Sequence, residues 1–231
     1  MGYRPAMSPD DERRIRAWHE AAYESMRDSG MGIVSYLGRS FVVPPHAFPT
    51  AAVAEPLGRA VLDEVRADDR VLDMGTGCGV NAILAASRSA DVLGVDVNPH
   101  AVAAAAANAE RNGVADRTTF RESDVFAAVD GTFDLMIFDP PFRWFAPRDL
   151  LEASIADENY RALTRFLEQA GEHLAPDGRI LMFFGTSGDL DHLYRTAEEN
   201  GFTREVVASR DLVREDLTVT YHAFRLRRPF R

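Results

Sequence analysis

The sequence predicts an α/β fold built on a mostly parallel, seven-stranded sheet with an antiparallel last strand, and three stretches predict it. Val71-Leu72-Asp73-Met74 is a short apolar strand that runs into the turn Gly75-Thr76-Gly77-Cys78-Gly79, with a helix starting near Val80. Asp91-Val92-Leu93-Gly94-Val95-Asp96 is a second strand ending in an acid, roughly 20 residues after the turn, the spacing at which α/β nucleotide folds place a ribose-binding acid. Phe133–Phe138 is a third apolar strand, and it runs into Asp139-Pro140-Pro141-Phe142.

Around these, Ser8 is suited to cap a helix over 8–29, with Pro9 in its first turn and Asp10, Asp11 and Glu12 at its positive end. Ile15, Trp18, Ala22 and Met26 fall on one face. That face either packs on the domain or forms a lid, with Trp18 and Tyr23 near a pocket. Ile33–Leu37 and Ser40–Val43 read as a hairpin turning at Gly38-Arg39. Pro44, Pro45 and Pro49 force an extended loop. A helix at 55–66 precedes the strand at 70–74, and a helix over about 80–88 follows it. Asn98 caps the next helix, with Pro99 at its first position, and an alanine-rich run carries it to a stop at Gly113. Thr118–Arg121 and Arg179–Phe184 are further strands. Helices are expected at 157–174 and 189–200, and strands at 202–208 and 217–226 complete the sheet. The 143–156 stretch is a long loop directly after Asp139-Pro140-Pro141-Phe142, and loops of that length are more often functional than decorative.

Composition narrows the classes. At 231 residues the chain suffices for one well-buried core. No apolar run is long enough to span a bilayer, and the charged N-terminal stretch lacks an apolar leader core, so a cytoplasmic enzyme is expected. The single cysteine, Cys78, excludes an internal disulfide, and no His/Cys cluster suggests a metal. The net charge of −10 argues against a partner as anionic as naked nucleic acid unless a local patch overrides it. All 26 basic residues are arginines.

The three stretches together resemble the S-adenosylmethionine-dependent methyltransferases of the Rossmann-like class I group. Residues 71–79 look like their first motif, and Asp139-Pro140-Pro141-Phe142 is similar to the (Asn/Asp)-Pro-Pro-(Tyr/Phe/Trp) motif of enzymes that methylate planar amino or amide nitrogens. The nearest groups are the release-factor glutamine methyltransferases and the small-domain RNA methyltransferases. The resemblance implies a short helix-hairpin extension over 1–50 and a catalytic domain over 51–231. It implies S-adenosyl-L-methionine as cofactor, held by Asp73, Gly75, Thr76, Gly77, Cys78 and Gly79, by Asp96 and Val97 at the ribose, by Asp124 and Val125 at the adenine, and by Asp139. It also implies that the loop after Pro44 lies over the cofactor, which makes His46, Phe48 and Thr50 pocket candidates.

The chemistry follows from the acceptor. An amide or aryl amine nitrogen is a poor nucleophile because its lone pair is delocalised. A site that accepts hydrogen bonds from both N–H groups favours pyramidal geometry and turns the lone pair toward the methyl. Asp139 and the Pro140 carbonyl are the expected acceptors, Pro140 and Pro141 fix the backbone, and Phe142 stacks on the planar group. Phe142, Arg143 and Trp144 are the candidate substrate contacts. The acceptor stays open among an RNA base, a protein glutamine and a small molecule. Arg143, Arg148 and the arginines of 225–231 are candidates to meet phosphates. A nicotinamide oxidoreductase would need a different glycine spacing, and a non-catalytic binding module would be expected to lose Asp73, Asp96 or Asp139.

Overall fold

The computed structural model describes residues 3–45, 52–214 and 217–229. His46, Phe48 and Thr50, and the expected boundary at residue 50, lie outside the described residues. The main sheet contains β3 (Arg70–Met74), β4 (Asp91–Asp96), β5 (Thr118–Glu122), β6 (Phe133–Phe138), β7 (Leu174–Gly185), β8 (Thr203–Arg214) and β9 (Leu217–Arg227). Their spatial order is β5-β4-β3-β6-β7-β9-β8. The first five are parallel, and β9 runs antiparallel between β7 and β8. The strand order reverses between β3 and β6, and in open α/β sheets such a switch point opens a crevice at the strands' carboxyl ends.

Helices α2 (Glu55–Glu64), α3 (Val80–Ala85) and α4 (Pro99–Arg111) belong to one core, and α5 (Arg161–His173) and α6 (Leu190–Glu199) to the other. Strand β6 is buried on both faces, as a central parallel strand must be. Phe133, Met136 and Phe138 join the α5/α6 core, while Leu135 and Ile137 join the other.

Several boundaries differ from the sequence expectation, among them β8, which runs to Arg214 where an end at 208 is expected. Strand β7 starts five residues early. Phe133 pairs with Leu174 and Leu135 with Arg179, so the expected turn at Pro176-Asp177-Gly178 is a bulge within the strand. Helix α5 starts late, because Asn159 and Tyr160 take left-handed φ values of 56° and 54°. Asp157 then caps the helix by accepting from the Ala162 and Leu163 N–H groups, each at 3.0 Å. Helix α3 ends at Ala85, short of the expected 88.

Ahead of the sheet, α1 (Pro9–Arg27) is capped as expected, with the Ser8 hydroxyl accepting from Asp11 N–H at 3.1 Å. Its buried face is Ile15, His19 and Tyr23, one step around from the apolar set. The apolar pattern does not include His19 or Tyr23, whose polar tips find partners in Glu152 and Asp149. The hairpin of β1 (Gly32–Tyr36) and β2 (Arg39–Val43) turns at Leu37-Gly38, one residue earlier than expected. Both turn residues have positive φ, 44° and 77°, as a tight two-residue hairpin turn demands.

Two asparagines of α4 fasten this hairpin to the sheet domain. Asn108 accepts from Val42 N–H at 2.8 Å and donates to Val42 O at 2.9 Å and to Cys78 O at 3.0 Å. Asn112 donates to Ser40 O at 2.9 Å. An amide presents an acceptor and donors side by side, so it pairs with β2 much as another strand would. Asn108 is 1% exposed, so truncating it leaves buried backbone groups unpaired. Asn108→Ala should lower unfolding free energy by about 2–3 kcal/mol in denaturant titration. A loss below about 0.5 kcal/mol would show that other contacts hold the hairpin.

Candidate functional site

A cavity of about 420 Å³ opens at the carboxyl ends of β3, β4 and β6. Gly75, Thr76, Gly77, Cys78, Asp96, Val97, Asp124, Val125, Asp139, Pro140, Pro141, Phe142 and Arg143 all line it. The sequence picked these residues from four separate segments, and the fold brings them to one wall. Asp73, Gly79 and Trp144 do not line it.

The glycine turn depends on conformations that side chains disfavour. Gly75, Gly77 and Gly79 have φ values of 65°, 54° and 84°. At Gly79 a Cβ would also stand 3.0 Å from the Ala105 backbone, so this glycine lets α3 start against α4 and does not face the cavity. Asp73 lies beneath the turn. Its Oδ2 accepts from the Thr76 hydroxyl at 2.6 Å and from Ala82 N–H at 3.0 Å. The resemblance names Asp73 among the residues that hold the cofactor. In the structure its hydrogen bonds run inward and fix the turn to α3. Burial pushes its carboxyl up to about 7 despite those two bonds. Cys78 is 2% exposed, and burial pushes its thiol up to about 12, which leaves no thiolate at neutral pH.

Asp96 ties two elements with one carboxylate. Oδ2 accepts from Gly77 N–H at 2.9 Å, and Oδ1 accepts from Asn98 N–H at 2.9 Å. The glycine turn after β3 and the cap of α4 are thereby held at a fixed separation on the cavity wall. Burial raises the Asp96 pKa, against the opposing pull of the N–H groups of Asn98, Gly77 and Val97.

The turn after β5 is strained. Val125 has φ 54°, a left-handed value that costs a β-branched residue on the order of 1–3 kcal/mol. Ser123 holds it there, its hydroxyl donating to Val125 O at 2.7 Å and accepting from Ala128 N–H at 2.9 Å. The Asp124 carboxylate is engaged by Arg165, with Nη1 at 3.0 and 2.8 Å from its two oxygens. That ion pair competes with the adenine contact expected of Asp124.

Asp139 ends β6 and enters the cavity with no hydrogen-bond partner on its carboxylate among the described residues. Burial, reinforced by the nearby Asp73, pushes its carboxyl up to about 7. Phe142 lies in an aromatic group, with ring centroids 5.2 Å from Phe184, 5.7 Å from Tyr221 and 5.8 Å from Phe183. The Tyr160 hydroxyl donates to Phe142 O at 2.9 Å and accepts from Asp189 N–H at 2.8 Å, which anchors the end of the motif.

The long loop that follows closes on itself. Arg143 N–H donates to Ile155 O at 3.3 Å, and Asp157 N–H donates to Arg143 O at 2.7 Å. Helix α1 is latched to it. Tyr23 donates to Asp149 at 2.6 Å, and His19 Nε2 lies 2.6 Å from Glu152 Oε1. Arg148 pairs with both Glu20 and Glu152. Although burial opposes it, hydrogen bonds from Arg148 and His19 hold the Glu152 carboxyl at about 2. Trp18, His19 and Ala22 of α1 and Leu150, Ser154 and Ile155 of the loop complete the cavity wall. Of the two readings offered for α1, the lid reading therefore fits Trp18, while Tyr23 serves as a tie to the loop. Trp144 is 3% exposed and packs into the core against Phe145. The contributions of His19, Phe183 and Tyr221 had no local signal in the sequence, because sheet order and the docking of α1 bring them in.

Residues 57–200, more than half of the chain, match the family described as the methyltransferase small domain. A release factor glutamine methyltransferase of Koribacter versatilis is 31% identical over 204 residues, covering 76% of this chain and 71% of that protein. The ribosomal protein uL3 glutamine methyltransferase of Bradyrhizobium diazoefficiens is 33% identical over 144 residues, covering 57% of this chain and 45% of the relative. The chain spans about half the length of several curated relatives that it matches. Among solved structures, the 16S rRNA N2 methyltransferase of T. thermophilus in complex with AdoMet and guanosine superposes with a TM-score of 0.59 at 20% identity, covering 84% of this chain and 50% of that one, a likeness of fold. With a seven-stranded sheet of this order, a glycine turn at its switch point and a family match over most of the sheet domain, the chain belongs to the methyltransferase small-domain family of S-adenosylmethionine-dependent methyltransferases.

Proposed function

We propose that the protein methylates a planar amino or amide nitrogen, and the observation that carries this is the unpartnered Asp139 carboxylate on the cavity wall. A half-buried carboxylate without a donor is costly, and most folds satisfy such a group. Two N–H groups of an acceptor would satisfy it. The adjacent Pro140 carbonyl supplies a second acceptor whose position two prolines restrain. Phe142, backed by Phe184 and Tyr221, offers a face for a planar group.

The remaining wall suits S-adenosylmethionine. Gly75 and Gly77 let the backbone approach a ligand closely, and Asp96 is fixed by two backbone N–H groups with lone pairs to spare for ribose hydroxyls. When bound, the cofactor supplies a sulfonium methyl open to in-line displacement. The chain's own work is positional: Asp139 and Pro140 orient the acceptor nitrogen, Phe142 sets its plane, and α1 with the 143–156 loop limits water. Once its nitrogen is methylated, the acceptor sheds a proton, for which the Asp139 carboxylate is the nearest candidate on the wall.

Asp139→Ala should lower methyl transfer by at least about 10²-fold while S-adenosylhomocysteine still binds; near-wild-type turnover would remove Asp139 from the site. Beside the Pro140 carbonyl, Asp139 accepts an N–H of the acceptor most strongly when ionised. The free carboxyl is raised to about 7, so kcat/KM should fall as pH drops below that value. Asp139→Asn keeps an acceptor oxygen and no proton to titrate, so its residual activity should lack this acid limb. An unchanged limb in that variant assigns the titration to another group. Asp96→Ala should weaken cofactor affinity by about 1–3 kcal/mol in calorimetry, and an unchanged constant would place the ribose elsewhere.

A further inference from the structure

Several arginines of this chain are matched by carboxylates. Arg179 pairs with Asp69, Arg225 with Glu64 and Glu205, Arg148 with Glu20 and Glu152, and Arg165 with Asp124. Arg228 donates to Gly171 O and covers the Phe202 ring. Of the arginines expected to meet phosphates, Arg225 and Arg228 are thus engaged by other parts of the fold, and Arg148 is held by two carboxylates at the surface.

Arg143 differs. It follows Phe142 directly and lines the same cavity as Asp139. Its Nη1 donates to Ser187 O at 2.7 Å and Ser187 Oγ at 3.0 Å. Its Nε is buried without a partner, and no carboxylate among the described residues pairs with it. The groups that face it electrostatically are the Tyr160 and Tyr221 phenols. A second buried nitrogen without a partner, His19 Nδ1, lies within electrostatic reach of it, and His19 also lines the cavity. A guanidinium in such a place carries an uncompensated charge. A planar five-donor fork matches the oxygens of a carboxylate or phosphate.

We propose that Arg143 binds an oxyanion of the methyl acceptor, so that the acceptor is a small planar amine or amide bearing a carboxylate or phosphate. This rests on the N-methylation reading and narrows it. The wall then recognises both ends of one small molecule, N–H groups at Asp139 and an oxyanion at Arg143, with the aromatic faces of Phe142 and Tyr221 between. The latched α1 and loop close the same wall, and no other arginine singled out beside the motif is free to follow a polyanionic backbone. That favours a small acid over an RNA.

The test pairs acids with neutral counterparts in the full chain. Binding of 4-aminobenzoate against 4-aminobenzamide, and of adenosine 5′-monophosphate against adenosine, is measured by calorimetry in the presence of S-adenosylhomocysteine. Methyl transfer to the same four compounds is followed with labelled S-adenosylmethionine. The acid of at least one pair should bind roughly 10- to 100-fold tighter than its neutral partner, and the pair that shows it distinguishes carboxylate from phosphate. Arg143→Met should erase that preference with S-adenosylhomocysteine affinity unchanged, and Arg143→Lys should restore part of it. Equal binding within both pairs, a preference that survives in Arg143→Met, or label entering only RNA or protein from cell fractions would overturn the proposal. An acid preference lost in Arg143→Met, with no methyl transferred to any amine, would instead uphold the anion site and overturn the N-methylation reading.

Discussion

A carboxylate that the fold leaves half-buried on the cavity wall, without a donor among the described residues, is the constraint on which this site depends. Asp139 reaches that position because β6 is a central strand, covered on both faces, whose carboxyl end opens at the point where the sheet order reverses. Partial withdrawal from water, with Asp73 nearby, raises its pKa to about 7. The surrounding structure keeps compensation away. Asp73, the nearest acid, turns its hydrogen bonds inward to Thr76 and Ala82, and Arg143 directs Nη1 to Ser187. Acceptor and donor functions of opposite sign are thereby left on one wall for a ligand to satisfy.

The rest of the chain holds that wall still. Asp96 couples the glycine turn to α4, Asn108 couples α4 to the hairpin and to Cys78, and Tyr160 couples the end of the motif to the start of α6. Each is a side chain bonded to backbone of another segment, so the geometry is set by elements and not by loops alone. The outer wall is of another kind. Helix α1 and the 143–156 loop are joined by ion pairs and hydrogen bonds, among them the buried pair of His19 and Glu152 and the exposed pair of Arg148 and Glu20. Contacts of that sort can part and re-form more readily than packed apolar surface, which suits a wall that must admit a substrate.

Much of this was legible in the sequence because the informative segments are local. Strand-turn-helix signals at 70–80, the acid ending β4 and the Pro-Pro motif after β6 depend on residues adjacent in the chain, and the sheet places them together. What sequence reasoning missed is set by tertiary approach. The apolar residues of α1 do not point to His19, and the tie of Tyr23 to Asp149 has no signal in the periodicity. The β7 start was obscured by a proline-glycine turn that is a bulge. At Asp73 the spacing does not show that one carboxylate oxygen is taken up by the turn, through Thr76 and Ala82. Asp124 was expected at the adenine without its Arg165 partner, which lies on α5, far along the chain. Arg143 and Arg148 looked alike beside the motif, and only the docking of α1 separates them.

The most direct test of the account is the identity of the methylated atom. Protein, RNA and small-molecule fractions would each be incubated with purified protein and methyl-labelled S-adenosylmethionine, and the labelled product resolved by mass spectrometry and NMR. The account predicts label on an amino or amide nitrogen of a small molecule that carries an acid group. Label on oxygen, sulfur or carbon would contradict the role given to Asp139 and its motif.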